Sequence, residues 1–231
     1  MEEKYELLTS VLKALQAKGI LDGLVIVGSW CQYYYRILFD NAPEIPLLRT
    51  LDVDFLVPNP ARFKNRVDVS EILKLLGFDS DFDYSTGLVK YVHPDLEIQF
   101  LTPALGRAKE TPYEIKKLNI KAEGLTYMKM LQDFTFVMTH NSITVRLPEP
   151  EAYILHKILI NPKRQDMAKK DKDLMAAKSI GELCLEDEAR RERLKTIYVS
   201  LPKKWQRLIS GISEPLSPDL FSFLTATNRL I

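Results

Sequence analysis

Two aspartates, Asp52 and Asp54, stand two positions apart in the otherwise apolar run Leu51-Asp52-Val53-Asp54-Phe55-Leu56-Val57. Side chains alternate along a strand, so both carboxylates fall on one face and Val53, Phe55 and Val57 on the other. Adjacent carboxylates among residues that favour burial are costly unless something neutralises them. A divalent cation does this, because hard ions such as Mg²⁺ take carboxylate oxygens as ligands. A solvated sheet edge, or pairing with a basic residue such as Arg49, is the commoner account of a lone Asp-x-Asp. Here the pair has company. A third acid, Glu97, lies between apolar Leu96 and Ile98 in a second alternating run, Leu96 to Phe100. Asp95 shares its face and is its rival as a third ligand; Glu97 is preferred because it lies inside the strand.

These acids need elements to hold them. Val25-Ile26-Val27 reads as a short buried strand that ends in Gly28-Ser29 and opens a helix from Trp30 to Phe39. Glycine permits the sharp turn, and the backbone N–H groups at a helix start favour phosphate. The turn is too short for a Walker phosphate loop and lacks the later glycines of a dinucleotide fingerprint.

A Gly-Ser strand-to-helix turn, an Asp-x-Asp strand and a third acid in a later strand, taken in that order, resemble the nucleotidyltransferase superfamily of polymerase-β-like fold. The resemblance covers roughly the first 100 residues. It is closest to the small prokaryotic branch that includes abortive-infection toxins, whose acidic strand follows an Arg/Thr lead-in, here Arg49-Thr50. It implies an α+β (α/β) fold, with a mixed β-sheet flanked by helices and then a C-terminal helical domain. The implied division is a catalytic domain over 1–148 and a helical domain over 149–231.

The implied activity is metal-dependent transfer of a nucleoside monophosphate from a nucleoside triphosphate, ATP among them, to a hydroxyl of RNA, protein or a small molecule. Asp52, Asp54 and Glu97 would hold Mg²⁺ or Mn²⁺, and Gly28 and Ser29 would meet the β- and γ-phosphates. Relatives often carry a Lys on the first helix after the core and an Arg…Lys-Asp run on the next. Lys157, Arg164 and Lys170-Asp171 (or Lys172-Asp173) match that pattern and would face phosphates. An antitoxin-type protein partner also follows from that branch. One departure stands out: many relatives place an Arg soon after the Gly-Ser, whereas this chain reads Trp30-Cys31-Gln32, with Arg36 further on. The rival reading is a module that keeps the fold and binds nucleotide or nucleic acid without turnover.

The chain as a whole sets bounds on these readings. Its 231 residues suffice for one large or two small domains. A net charge of +1 leaves attraction to nucleic acid to local clusters. No apolar run approaches bilayer length, and Met1-Glu2-Glu3-Lys4 lacks the basic start of a secretory signal. Cys31 and Cys184 form neither a zinc spacing nor a disulfide framework, and the three histidines form no ligand spacing. A reducing, cytoplasmic setting is expected.

Periodicity predicts helices over 4–18 and 69–76, stopped by Gly19 and Gly77. It predicts two or three strands in 78–100 and a hairpin of 134–138 with 142–147, and leaves 113–131 unassigned. After Pro148-Glu149-Pro150 it predicts helices over 151–159, 167–183, 188–199 and 203–209, with a short one over 220–225. The basic run Lys157 to Lys172 also reads as a solvated helix face, with i,i+4 pairs Asp166–Lys170 and Lys169–Asp173.

Overall fold

The computed structural model describes residues 2–46, 50–104, 106 and 112–229. Contacts divide the chain into two units, one of residues 1–31 and 48–148, the other of residues 32–47 and 149–231.

The first unit is built on a mixed sheet of seven strands among the described residues. Its central path runs in the order β1 (Val25–Val27), β2 (Asp52–Leu56), β5 (Leu96–Pro103), β4 (Val89–His93) and β3 (Asp79–Phe82). Strands β2 and β5 are parallel, while β1 and β4 run antiparallel to their neighbours. The stretch 113–131, whose pattern is ambiguous in sequence, supplies β6 (Tyr113–Ile115), β7 (Ile120–Leu125) and helix α4 (Met128–Asp133). Strand β7 pairs parallel with the C-terminal end of β5. A separate hairpin, β8 (Thr135–His140) and β9 (Ile143–Pro148), turns at Asn141 and Ser142, both with positive φ. That pair of angles suits the type I′ turn that two-residue hairpins favour.

The period-2 pattern decides which face is buried. Val53, Phe55, Ile98 and Phe100 are essentially inaccessible, and the Phe55 and Phe100 rings stack with centroids 5.8 Å apart. Each such side chain removed from water contributes roughly 1.5–3 kcal/mol. Helices α1 (Glu2–Ala17) and α3 (Val69–Leu75) pack against each other, and α1 also touches β5. Gly19 and Gly77 end these two helices with φ of +65° and +88°, as their positions predict. Asp68 caps α3 by accepting from the Glu71 N–H at 3.0 Å.

The second unit is helical. It contains most of α2 (Trp30–Leu38), with α5 (Pro150–Ile160), α6 (Met167–Glu186), α7 (Glu188–Ser200), α8 (Lys203–Leu216) and α9 (Pro218–Arg229). Helix α8 runs past the predicted end at 209, because Pro215 falls in its last turn and interrupts no further ladder. Helix α5 is the core of this unit, with Ala152, Tyr153, Ile154, Leu155, Ile158 and Leu159 all buried. From α2, Gln32 donates to the Tyr153 hydroxyl at 3.1 Å, and Tyr35 packs edge-on against the Tyr153 ring. Thus a mixed sheet flanked by helices, and a helical C-terminal region, are both present as the sequence implies. No helix among the described residues is long and apolar enough to cross a membrane.

Candidate active site

Sheet register brings the acids together. In the parallel β2–β5 pair Asp52 is opposite Glu97, and Asp54 is opposite Gln99, so all four side chains share one face. Asp52 is exposed and Asp54 half-buried, whereas Val53 between them is fully buried. The Thr50 hydroxyl accepts from the Asp52 N–H at 3.2 Å at the start of the strand. Its expected companion Arg49 lies outside the described residues, so the Arg/Thr lead-in and the alternative pairing with Arg49 have no structural description. Asp95 sits in the turn before β5, its carboxylate 3.6 Å from the His93 ring.

The Gly-Ser turn joins this face directly. In the antiparallel β1–β2 pair Val27 is opposite Asp54, so Gly28 follows immediately beside that carboxylate. Gly28 has φ of +72°, and a Cβ placed on it would collide with Asp54 Oδ2. Both conditions demand glycine. Helix α2 then starts at Trp30, one residue beyond Ser29. At its far end the same sheet face turns apolar, where Val25, Val27, Leu56 and Leu101 pack with Met128 and Leu131 of α4.

Sequence reasoning misses one residue here. Lys90 on β4 donates to Glu97 Oε1 at 2.5 Å, and its ammonium is held more firmly protonated than usual. The Glu97 hydrogen bond is the main cause, with the charges of Glu97, Asp52 and Asp54 adding to it. The alternation Val89-Lys90-Tyr91-Val92 was the available signal, but its register against β5 is not written in the sequence. Further along, Gln99 donates to Glu123 of β7 at 2.6 Å. Consequently Glu97 is engaged by a cation, and among the described residues no group of three or more His, Cys, Asp or Glu is arranged to hold a metal ion.

The basic residues predicted to face phosphates lie in the helical unit. Lys157 and Arg164 converge on one carboxylate: Asp173 accepts from Lys157 Nζ at Oδ1 and from Arg164 Nε at Oδ2, the latter at 3.0 Å. Lys157 and Asp173 are both buried, and the Lys157 ammonium also lies 5.3 Å from the centre of the Tyr153 ring. Lys170 is half-buried on the first turn of α6. The i,i+4 pairs expected on α6 do not account for its aspartates. Asp166 instead caps the helix, accepting from the Ala168 and Lys169 N–H groups, and Asp173 turns inward rather than toward Lys169. A cap satisfies otherwise orphaned donors, which an exposed ion pair does not.

Beside Lys157, His156 is buried with neither ring nitrogen hydrogen-bonded. Burial, and then the charges of Lys157 and Arg164, hold its pKa down to about 3. Since this folded value is below the ordinary one, the unfolded chain alone takes up a proton as pH falls below about 6.5. Stability from neutral His156 is therefore complete above that pH and is lost between it and about 3. The slope is about 1.4 kcal/mol per pH unit. We expect His156→Leu to be at least as stable as wild type at pH 8 and about 2 kcal/mol better relative to wild type at pH 5 than at pH 8. Urea titrations at the two pH values measure this; an equal difference at both would show that His156 does not titrate with unfolding.

Comparison with known proteins decides the family. The sequence profile of a nucleotidyltransferase family matches residues 6–200. The chain belongs to that family. No functionally curated protein matches it. Among solved structures, the nucleotidyltransferase is similar to the crystal structure of an antigenic nucleotidyltransferase-like protein from Paracoccidioides brasiliensis. Identity is 17%, with 95% of this chain and 92% of that chain covered and a TM-score of 0.52, a likeness of fold. It also matches the solution structure of the antibiotic-resistance factor ANT(2'')-Ia at 15% identity, over 83% of this chain and 94% of that one, with a TM-score of 0.42. Neither is described as an abortive-infection toxin, so that branch gains no support.

Proposed function

We propose that this nucleotidyltransferase moves a nucleoside monophosphate from a nucleoside triphosphate to a hydroxyl acceptor, with Mg²⁺ or Mn²⁺ held by Asp52 and Asp54. The observation that supports this reading is the contact of the Gly28 turn with the Asp54 carboxylate, at a strand-to-helix turn of the kind whose backbone N–H groups suit phosphate. Two carboxylates on one face fit such an ion, because Mg²⁺ is commonly held by one or two carboxylates together with substrate phosphates and water. The ion supplies charge stabilisation on the triphosphate oxygens.

The protein's own groups do the remainder by positioning. Gly28 and Ser29 offer backbone N–H groups at the start of α2 to the β- and γ-phosphates. Glu97, opposite Asp52, orients the acceptor hydroxyl as a hydrogen-bond acceptor. Lys157 and Arg164, in the helical unit, are held on Asp173 and would first have to leave it to meet a phosphate. The acceptor class is RNA, protein or a small hydroxylated molecule.

The test is incubation with each α-labelled nucleoside triphosphate and Mg²⁺ or Mn²⁺, offering RNA, cell protein and aminoglycosides as separate acceptors. Label should appear in one acceptor class and vanish with chelator. A triphosphate that raises the melting temperature but labels nothing would instead support a binding module without turnover.

A further inference from the structure

Glu97 has a long side chain, and the transfer reading above asks it to meet an acceptor hydroxyl in one orientation. A half-exposed glutamate samples several rotamers unless something holds it. On its sheet face Asp52 is directly opposite it across the β2–β5 boundary. Across the β4–β5 boundary Val92 is opposite it, and Lys90, two residues earlier, shares Val92's face. Lys90 donates to Glu97 Oε1 at 2.5 Å, and so reaches it from the other side of β5 than Asp52. Among the described residues only Lys90 bonds this carboxylate, which leaves Oε2 open. The Glu97 side chain, 27% accessible, remains within reach of solvent.

We propose that Lys90 is a positioning residue for nucleotidyl transfer: it pins Glu97 by Oε1 so that Oε2 is presented to the acceptor hydroxyl. This rests on the transfer reading, which gives Glu97 that hydroxyl. The anchor is firm because Lys90 lies inside the sheet, opposite Asp81 of β3, and a strand holds a side chain more closely than a loop does. Its bond to Glu97 joins two charged groups, which makes it stronger than a neutral one. An ionised carboxylate accepts at both oxygens, so engaging Oε1 leaves Oε2 able to accept from the hydroxyl. Lys90 itself does no chemistry. It removes the orientations of Glu97 that cannot take the hydroxyl's bond, and a misplacement of about 1 Å costs on the order of a hundredfold in rate.

Single-turnover transfer from α-labelled nucleoside triphosphate, with total RNA, cell protein and an aminoglycoside offered separately, tests this alongside nucleotide binding. Lys90→Met, or Lys90→Gln if the first does not fold, should slow transfer about a hundredfold and leave the nucleotide dissociation constant within about twofold of wild type. Lys90→Met with Glu97→Gln should be no slower than Glu97→Gln alone, because both changes act through one group. Lys90→Cys allows a rescue within one preparation. Both native cysteines, Cys31 and Cys184, are buried, so 2-bromoethylamine rebuilds an ammonium at position 90, as mass spectrometry checks. Alkylation should recover about tenfold or more in rate at an unchanged melting temperature, which a lysine serving the fold alone would not show. A folded Lys90 variant at the wild-type rate, a slow Lys90→Cys that alkylation leaves slow, or weakened nucleotide binding at unchanged rate would overturn the role of Lys90 alone. Wild type that labels no acceptor would remove the transfer reading, and this role with it.

Discussion

Asp52→Asn and Asp54→Asn are each expected to lower nucleotidyl transfer about a thousandfold or more while leaving the protein folded. Each change replaces a charged ligand oxygen with a weaker neutral one and leaves the side-chain shape intact. A thousandfold corresponds to about 4 kcal/mol of transition-state stabilisation, the scale on which single preorganised electrostatic groups act. Stability should move the other way. Asp52 is exposed and shares its face with Asp54 and Glu97, so losing one charge relieves repulsion in metal-free buffer. The melting temperature of Asp52→Asn without metal should equal or exceed that of wild type. Single-turnover transfer and a melt in chelator form the pair of measurements. Near-normal transfer by both variants would place the chemistry elsewhere on the chain.

The second large effect concerns Asp173. It is buried between Lys157 and Arg164, and Lys157 is buried with it. Asp173→Ala leaves the Lys157 ammonium without its carboxylate, and breaking one side of a buried pair typically costs 3–5 kcal/mol. Replacing both members, as in Lys157→Met with Asp173→Leu, should restore most of that loss, since apolar residues of similar size commonly match or better a buried ion pair. Urea midpoints for the single and double variants report this directly. A cost under about 1 kcal/mol for Asp173→Ala would mark an exposed pair and return Lys157 to the pool of phosphate ligands. The same double variant, if it binds nucleotide normally, assigns the trio to structure.

The acid face was legible because strand alternation has a fixed period: Asp52 and Asp54 had to share a face wherever the strand paired. The helix stops at Gly19 and Gly77 were equally plain, since few residues other than glycine accept the left-handed conformation there. Lys90 was not legible, because its meaning depends on which rung of β5 it meets, a property of pairing rather than of either strand. Asp173 misled for a related reason. Among Lys169, Lys170, Asp171 and Lys172 it looks like one more solvated charge, and only the helix's rotation turns it inward. The region 113–131 was opaque because its turn is made by Asn119 at φ +54° rather than by a glycine or proline signal.

Helical residues drawn from both 32–47 and 149–231 have a consequence for biogenesis. Gln32 bonds to a tyrosine 121 positions downstream. At 5–20 residues per second, the ribosome needs roughly 6 to 24 s to deliver that partner. Meanwhile the aromatic side of α2, including Tyr35, has been synthesised but has nothing from its own unit to bury it. Nascent chains of this protein thus pass through an interval in which one side of an amphipathic helix lacks the partner that later buries it. For the same reason, a gene fragment encoding 149–231 alone would lack part of its own core.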